Sequence, residues 1–289
     1  MMYLAVGFLW LCHFLPFRVL AGLGRCLGYL LYWAARPRRK VGLINLRLCF
    51  PEWTEAQRRQ VICEHFQLLT ISMLERSYLW WSSAERLKRL VSIEGLEHYD
   101  AVKAGPVILF APHFVGLDMG GPRITLAGLK GASMYSKQNN PLLDKMLLHG
   151  RSRFGDNLFL SRQDGLRKML KTLKQGYTLY YLPDQDFGAK DSVFVPFFGV
   201  PTATITGMSR LAAAAKAALV PCIVLRKPDG SGYTVRFYPA WDNYPSEDEV
   251  ADTRRMNAFL EERILEAPAQ YFWLHKRFKT RPEGEERPY

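Results

Sequence analysis

Apolar positions along the chain follow two alternating patterns, one with helical spacing and one of short unbroken runs. Residues 54–57 (Thr-Glu-Ala-Gln) have the form of a capping box and open a predicted amphipathic helix that continues to about Trp80. Its apolar face is formed by Ile62, Phe66, Leu69 and Met73. The run 107–111 lies between two prolines and predicts a buried strand.

The same two patterns extend to the carboxyl end of the chain. Further helices are predicted from about Leu117 and over residues 141–154, 164–174, 206–217 and 248–265. Further strands are predicted at 177–182, 219–226 and 233–238, the last two joined as a hairpin around Asp229-Gly230. Strands that alternate with helices indicate an α/β domain built around a mostly central sheet, here residues 41–289.

The N-terminal segment, residues 1–40, has a different composition. Up to Ala35 its ionisable side chains besides Tyr and Cys are His13, Arg18 and Arg25, and a basic cluster follows at 36–40. A signal peptide has the opposite order of charge and apolar core. The segment is therefore predicted to attach to a membrane, with the rest of the chain on the cytoplasmic side by the positive-inside rule.

How the segment meets the membrane stays open at this stage. A spanning helix needs about 20 apolar residues, and Pro16 and Arg18 interrupt the run. One tilted span, a helical hairpin and a helix lying in the interface are all compatible with it. A buried core helix is the alternative, but aromatic residues typical of interfacial anchors favour the membrane. These residues are Trp10, Tyr29, Tyr32 and Trp33.

Charge and cysteine content narrow the class of protein. The formal net charge of +12 predicts an acidic partner, which nucleic acid, an anionic membrane, a phosphorylated lipid or an acidic carrier protein would satisfy. No nucleic-acid-binding module is recognisable, so nucleic acid is not expected as a partner. The five scattered cysteines show no metal-ligand spacing and suit a reducing compartment. Neither a metal nor a cofactor is predicted.

The candidate chemistry lies directly after the strand 107–111, where His113 is followed five residues later by Asp118. Sites in open α/β sheets form at the carboxyl ends of strands. Histidine is suited to take a proton from a hydroxyl near neutral pH, and a carboxylate can hold the imidazole in one tautomer. The spacing predicts that Asp118 is that carboxylate. No serine nucleophile is required, because a hydroxyl of the substrate can itself attack. The absence of a G-x-S-x-G elbow argues separately against a serine hydrolase.

Several segments together resemble one family. His113-x4-Asp118 is similar to the signature of the glycerolipid and lipid A acyltransferase superfamily. More specific likenesses are the stretches 140–144 (NPLLD), 183–188 (PDQDFG), 192–199 (SVFVPFFG), 226–230 (RKPDG) and 273–284 (WLHKRFKTRPEG). They resemble the late lipid A acyltransferases of Gram-negative bacteria, of the lauroyl/myristoyl type, over nearly the whole chain.

The resemblance implies a reaction and its partners. Enzymes of this family take a fatty acyl chain from acyl carrier protein and esterify the 3-hydroxyl of an acyl chain on the phosphorylated disaccharide lipid A precursor. They act at the bacterial inner membrane. The family's arginine after the helix at 141–148 matches Arg151, which is expected to bind the oxyanion, with Arg153 and Arg162 as alternatives. A solvated basic face would account for these arginines equally well.

Other positions are predicted to contact the substrates. Relatives carry an Arg-Pro pair where this chain has Ser136-Lys137, and Lys137 is predicted to supply the missing charge. The proposed substrate-binding set is Lys137, Asn140, Arg153, Arg162, Asp186, His275, Lys276 and Arg277. The basic residues near the C-terminus would bind lipid phosphates or the acidic carrier protein, and a solvated tail is the alternative. For Asp186, with Asp184, a structural role in capping the loop is the alternative.

Two further interpretations compete with the family assignment. An acyltransferase of the same superfamily that acts on a glycerophospholipid or a glycosylated inositol lipid would share the His113 motif. A non-enzymatic basic membrane-binding protein would explain the charge and the apolar N-terminus, but it leaves His113 and Asp118 to chance. The matches at 183–199 and 273–284 favour the lipid A enzymes.

Overall fold

The computed structural model describes residues 2–161 and 164–289. Its helices are α1 (Met2–Cys12), α2 (Phe17–Ala34), α3 (Arg36–Cys49), α4 (Glu55–Trp81), α5 (Ala84–Leu90), α6 (Leu96–Asp100), α7 (Leu117–Thr125), α8 (Pro141–Ser152), α9 (Gly165–Lys174), α10 (Gly207–Ala215) and α11 (Glu249–Glu266). Its strands are β1 (Val91–Glu94), β2 (Val107–Phe110), β3 (Gly131–Tyr135), β4 (Leu158–Ser161), β5 (Thr178–Tyr181), β6 (Ser192–Phe197), β7 (Val200–Ile205), β8 (Ala218–Arg226) and β9 (Tyr233–Phe237).

A central sheet organises the α/β domain, as the sequence predicts. The strand order is β1-β9-β8-β2-β5-β3-β4, and all neighbouring strands run parallel except the β8–β9 hairpin. The innermost strand β2 is buried at every residue because strands flank it on both edges and its side chains alternate between two hydrophobic clusters. Its carboxyl end therefore opens beside that of its neighbour β5.

Local signals fix most helix ends. The predicted capping box is confirmed, since the Thr54 side chain accepts from Gln57 N–H while the Gln57 side chain accepts from Thr54 N–H. The helices predicted from Leu117, over 141–154 and over 248–265 are confirmed within two residues at every end that the sequence predicts. The short strands β1, β3 and β4 and the β6–β7 hairpin were not predicted as strands.

The N-terminal segment folds as two helices that break at Pro16, followed by a third that contains the basic cluster. One face of α2 packs on α4, where Gly24 and Gly28 allow the two backbones to approach closely. Residues 36–40 begin α3, which continues to Cys49, so position 40 lies inside a helix; the division into two domains stays a prediction. Within the described residues, no helix is both long and apolar enough to cross a membrane.

Candidate active site

His113 is held by a buried carboxylate at the carboxyl end of β2. Its Nδ1 lies 2.7 Å from Asp184 Oδ1, and its main-chain N–H donates to Asp184 Oδ2 at 2.9 Å. Asp184 follows β5 and is fully buried. Burial opposes ionisation of Asp184, but the charge and hydrogen bonds of His113 outweigh it and hold the Asp184 pKa below its ordinary value. An ionised Asp184 accepts Nδ1–H, which leaves Nε2 of His113 as the proton acceptor.

The predicted contact between His113 and Asp118 is wrong. Asp118 lies on the first turn of α7, and both of its oxygens are occupied by arginines. Arg151 Nη2 donates to Oδ1 at 2.7 Å, and Arg76 donates to Oδ2 from Nε at 3.3 Å and Nη2 at 3.0 Å. Burial opposes ionisation here too, but Arg151 and then Arg76 lower the Asp118 pKa far below its ordinary value. Asp118 therefore fixes two guanidinium groups rather than the imidazole.

Sheet topology explains why Asp184 takes the position expected for Asp118. Ile108, Leu109 and Phe110 of β2 pair in register with residues 179–181 of β5. The loops that leave these parallel strands therefore emerge side by side. Asp118, in contrast, belongs to a helix that packs against α4 and α8, which carry Arg76 and Arg151.

These groups share one open cleft of about 910 Å³. His113, Asp118, Arg76 and Arg151 all line it, as do apolar side chains of α8 and α9. A second, smaller cavity of about 110 Å³ also reaches Asp118 and Arg151 and has mostly apolar walls. Its lining includes Leu109, Ile124, Leu129, Ala132, Met134 and Phe159. The two cavities therefore adjoin at the Asp118–Arg151 pair.

The substrate-binding candidates near α8 lie in different environments. The Asn140 side chain caps α8 by accepting from the main-chain N–H groups of Leu142 and Leu143. Lys137 is exposed, in a loop whose neighbours Ser136 and Gln138 line the cleft. Arg153 turns away and donates to the main-chain oxygen of Leu79. Arg162 lies outside the described residues.

Asp186 and most of the candidates near the C-terminus form hydrogen bonds within the protein. Asp186 is buried and accepts from Gly188 and Thr280, which matches the structural alternative for this residue. Arg277 is buried and donates to Ala203 O and Thr204 Oγ1 in the β6–β7 hairpin.

His275 and Lys276 differ from each other in exposure. His275 Nε2 accepts from Asp186 N–H, and burial, followed by the charge of Lys279, lowers the pKa of His275 to about 4. His275 is thus neutral near pH 7 and offers no positive charge with which to bind a phosphate. Lys276 is exposed, with its ammonium 5.6 Å from the Tyr289 ring centre. The binding roles of these residues stay predictions.

Two residues of the site were not identified from the sequence. The sequence places Asp184 in the loop with Asp186 and predicts no role for Arg76. A signal for Arg76 exists: Glu75 and Arg76 interrupt the otherwise apolar end of α4. Charged residues at such positions are usually paired, and here Glu75 pairs with Arg226 while Arg76 pairs with Asp118.

The fold and the site define a class of enzyme. A histidine oriented by a carboxylate is suited to the role of a general base, and fixed guanidinium groups in the same cleft suit a developing oxyanion. This arrangement, at the carboxyl ends of parallel strands, is compatible with an α/β enzyme of the transferase class.

Comparison with known proteins agrees with this class. The family model for bacterial lipid A biosynthesis acyltransferases matches residues 1–280. The chain is 38% identical to the lipid A biosynthesis lauroyltransferase of Escherichia coli K12 over 98% of its length and 92% of that protein. It is 34% identical to the lipid A biosynthesis palmitoleoyltransferase of the same strain, with the same coverage. The chain belongs to the bacterial lipid A biosynthesis acyltransferase family, and the acyl transfer in lipid A biosynthesis predicted from the sequence is confirmed.

Among solved structures, the chain is similar to the 1-acyl-sn-glycerophosphate acyltransferase of Thermotoga maritima. The TM-score is 0.40 at 16% identity, covering 85% of this chain and 96% of that one.

Proposed function

We propose that the enzyme transfers a fatty acyl chain from acyl carrier protein to a hydroxyl of the phosphorylated lipid A precursor, with His113 as the general base. The observation that carries this proposal is the His113–Asp184 hydrogen bond in a cleft that also contains two guanidinium groups fixed by Asp118. Family membership supports the lipid A precursor as the acceptor. The sequence motifs imply acyl carrier protein as the donor.

The reaction follows from this geometry in two steps. Nε2 of His113 takes the proton of the acceptor hydroxyl while its oxygen bonds to the thioester carbonyl carbon. The resulting oxyanion is stabilised by Arg151 and Arg76, and the His113 cation by Asp184. The carbon–sulfur bond then breaks, the ester is complete, and His113 returns its proton to the departing thiolate.

The two cavities offer separate space for the two substrates. The narrow apolar cavity beside Asp118 and Arg151 accommodates the acyl chain of the donor, with its thioester at the guanidinium end. The wider cleft takes the acceptor, whose acyl chains contact Leu143, Leu147 and Met169. The exposed Lys190 on the wall of this cleft is suited to a phosphate of the precursor.

Membrane attachment is the second part of the proposal. The first two helices expose an apolar surface, consisting of Tyr3, Leu4, Phe8, Trp10, Leu11, Phe14, Val19, Tyr29, Leu30 and Trp33. An exposed patch of this kind on helices followed by a basic cluster is typical of interfacial attachment to anionic lipid. We infer that this surface holds the enzyme on the cytoplasmic side of the inner membrane, where both substrates reach the cleft.

Acyl transfer in detergent solution tests the proposed reaction. The full chain is incubated with dodecanoyl-acyl carrier protein and radiolabelled lipid A precursor, and the ester product is separated by chromatography. We expect product from the wild type, and a loss of about 10²–10⁴-fold for His113→Ala, as is typical of a general base. His98→Ala, a histidine outside the cleft, is the matched control.

Three outcomes would contradict the proposal. A His113→Ala enzyme that keeps more than about a third of the rate would contradict the base, given the typical loss for such groups. Transfer from dodecanoyl-coenzyme A but not from the carrier protein would contradict the donor. Transfer to lysophosphatidic acid but not to the lipid A precursor would contradict the acceptor and support the glycerophospholipid alternative.

A further inference from the structure

The hydroxyl of Tyr180 is an unusual feature of the apolar cavity. Tyr180 lies on β5 and lines this cavity together with Asp118 and Arg151. Its hydroxyl is buried, and within the described part of the chain it has no hydrogen-bond partner. A buried donor left without a partner costs roughly 1–3 kcal/mol. A ligand that supplied an acceptor atom to this hydroxyl would remove that cost.

Sheet register places the Tyr180 side chain on the face of the sheet that borders the cavity. Its in-register neighbours on β2 and β3, Leu109 and Ser133, line the same cavity, as do Asp118 and Arg151. Burial, the largest influence, raises the Tyr180 pKa well above its ordinary value. The phenol is therefore protonated near pH 7 and can donate a hydrogen bond.

The chemistry of the donor limits what this hydroxyl can bind. Methylene groups of a straight acyl chain accept no hydrogen bond, and the carbonyl oxygen is the only oxygen in the acyl chain and its thioester group. Resting on the proposed function, we propose that Tyr180 is a further catalytic residue whose hydroxyl donates a hydrogen bond to the carbonyl oxygen of the donor thioester. Tyr180 keeps its proton throughout, and it stabilises the oxyanion together with Arg151.

Steady-state kinetics of Tyr180→Phe test this role. The substitution removes one oxygen and keeps the ring that fills the cavity wall. We expect turnover at saturating dodecanoyl-acyl carrier protein to fall by about 10²-fold, the lower end for loss of an oxyanion donor, with a smaller rise in the KM of the donor because the hydrogen bond strengthens from carbonyl to oxyanion. Tyr238→Phe removes a phenol hydroxyl near α11, outside both cavities, and should keep wild-type turnover. Thermal unfolding of both variants checks that the fold is intact.

Infrared spectroscopy of the bound donor provides a readout that a merely structural role would not change. Dodecanoyl-acyl carrier protein with a ¹³C-labelled carbonyl is bound to the His113→Ala enzyme, which holds the donor without transfer. A hydrogen bond lowers the frequency of the carbonyl stretch, so the His113→Ala/Tyr180→Phe enzyme should show a higher frequency than His113→Ala alone.

The outcomes separate this inference from the proposed function. If the wild type forms no ester, the proposed function fails. If the wild type forms ester and Tyr180→Phe matches it in turnover or leaves the carbonyl frequency unchanged, only the role of Tyr180 is overturned. A loss confined to donors that carry a hydroxyl on the acyl chain would also overturn it, because Tyr180 would then contact the chain and not the carbonyl.

Discussion

Asp184→Asn is the substitution that most directly tests how His113 is oriented. Asp184 accepts two hydrogen bonds from His113, one from Nδ1 at 2.7 Å and one from the main-chain N–H at 2.9 Å. An asparagine of the same shape can keep the main-chain bond through its oxygen. Its NH₂ group then faces Nδ1 and donates to it, which moves the imidazole proton to Nε2. In that tautomer Nε2 cannot take the proton of the acceptor hydroxyl.

The size of the effect follows from the two functions that Asp184 combines. Loss of the general base costs about 10²–10⁴-fold in rate, and loss of the carboxylate beside the imidazolium places Asp184→Asn toward the upper end. The fold should lose about 1 kcal/mol, since a charge-assisted hydrogen bond of about 1.5–3 kcal/mol is replaced by a neutral one of about 0.5–1.5 kcal/mol. Asp252→Asn, which makes the same change at a buried carboxylate near Ser246, is the control for stability and should keep its activity.

Two measurements check this prediction, turnover and the histidine tautomer. With ¹⁵N-labelled histidine, the His113 resonances are identified by their absence from the His113→Ala spectrum. We expect the Nδ1–H tautomer in the wild type and in Asp118→Asn, and the Nε2–H tautomer in Asp184→Asn. The reasoning is refuted if Asp118→Asn changes the tautomer and Asp184→Asn does not, or if Asp184→Asn keeps wild-type turnover.

Three further predictions concern the cavity, the membrane surface and acid stability. Ser133→Leu extends a side chain into the apolar cavity and should shift preference toward shorter acyl donors in a competition assay, while Ser133→Ala should not. Replacing Tyr29, Leu30 and Trp33 by serine should weaken sedimentation with anionic vesicles, whereas Leu265→Ser, equally exposed on α11, should not. Burial lowers the pKa of His65 to about 4, so His65 takes up a proton more readily in the unfolded state than in the folded state. The free energy of unfolding should therefore drop by roughly 3 kcal/mol as the pH falls from 6.5 to 4.

Each of these predictions can fail in a defined way. Unchanged donor preference in Ser133→Leu would mean that the acyl chain lies elsewhere. Full vesicle binding by the serine variant would remove the first two helices as the attachment surface. For the third, His65→Gln has no proton to gain and should reduce the dependence of chemical unfolding on pH. An equally steep dependence in His65→Gln would assign the effect to other groups.

Local sequence signals predict most elements but not the outer strands β1, β3 and β4 or the β6–β7 hairpin. The Thr54 capping box is encoded within a few residues, and the structure confirms it. Of the predicted apolar stripe of α4, Ile62 and Phe66 are buried, whereas Met73 is exposed. The strands β3 and β4 have only four or five residues and lie at one edge of the sheet. β3 begins with small residues, and the apolar run of β4 has only three residues, so neither can be told from a loop without the neighbouring strand that pairs with it.

The candidate site shows the same limit more sharply. His113 was identified because it directly follows a recognisable buried strand. Its partner was predicted to be Asp118, which is near in sequence, while the structure places it at Asp184, 71 residues away. The contact depends on β2 and β5 being neighbours in the sheet. The sequence of neither strand determines which strand will lie beside it. Arg76 was missed for the same reason, since only the packing of α4 against α7 brings it to Asp118.

The two carboxylates of the site, Asp118 and Asp184, have separate partners, which suits the two charges that form in the proposed transfer. Arg76 and Arg151 with Asp118 carry a net charge of +1, so an oxyanion that forms beside them meets one uncompensated positive charge. Asp184 contributes −1 beside His113, and in the proposed mechanism the imidazolium balances this charge. A single carboxylate shared by His113 and the arginines would lose part of its effect on the imidazolium to the guanidinium groups. Two separate carboxylates let each developing charge face a fixed charge of opposite sign, and neither has to move as the proton is transferred.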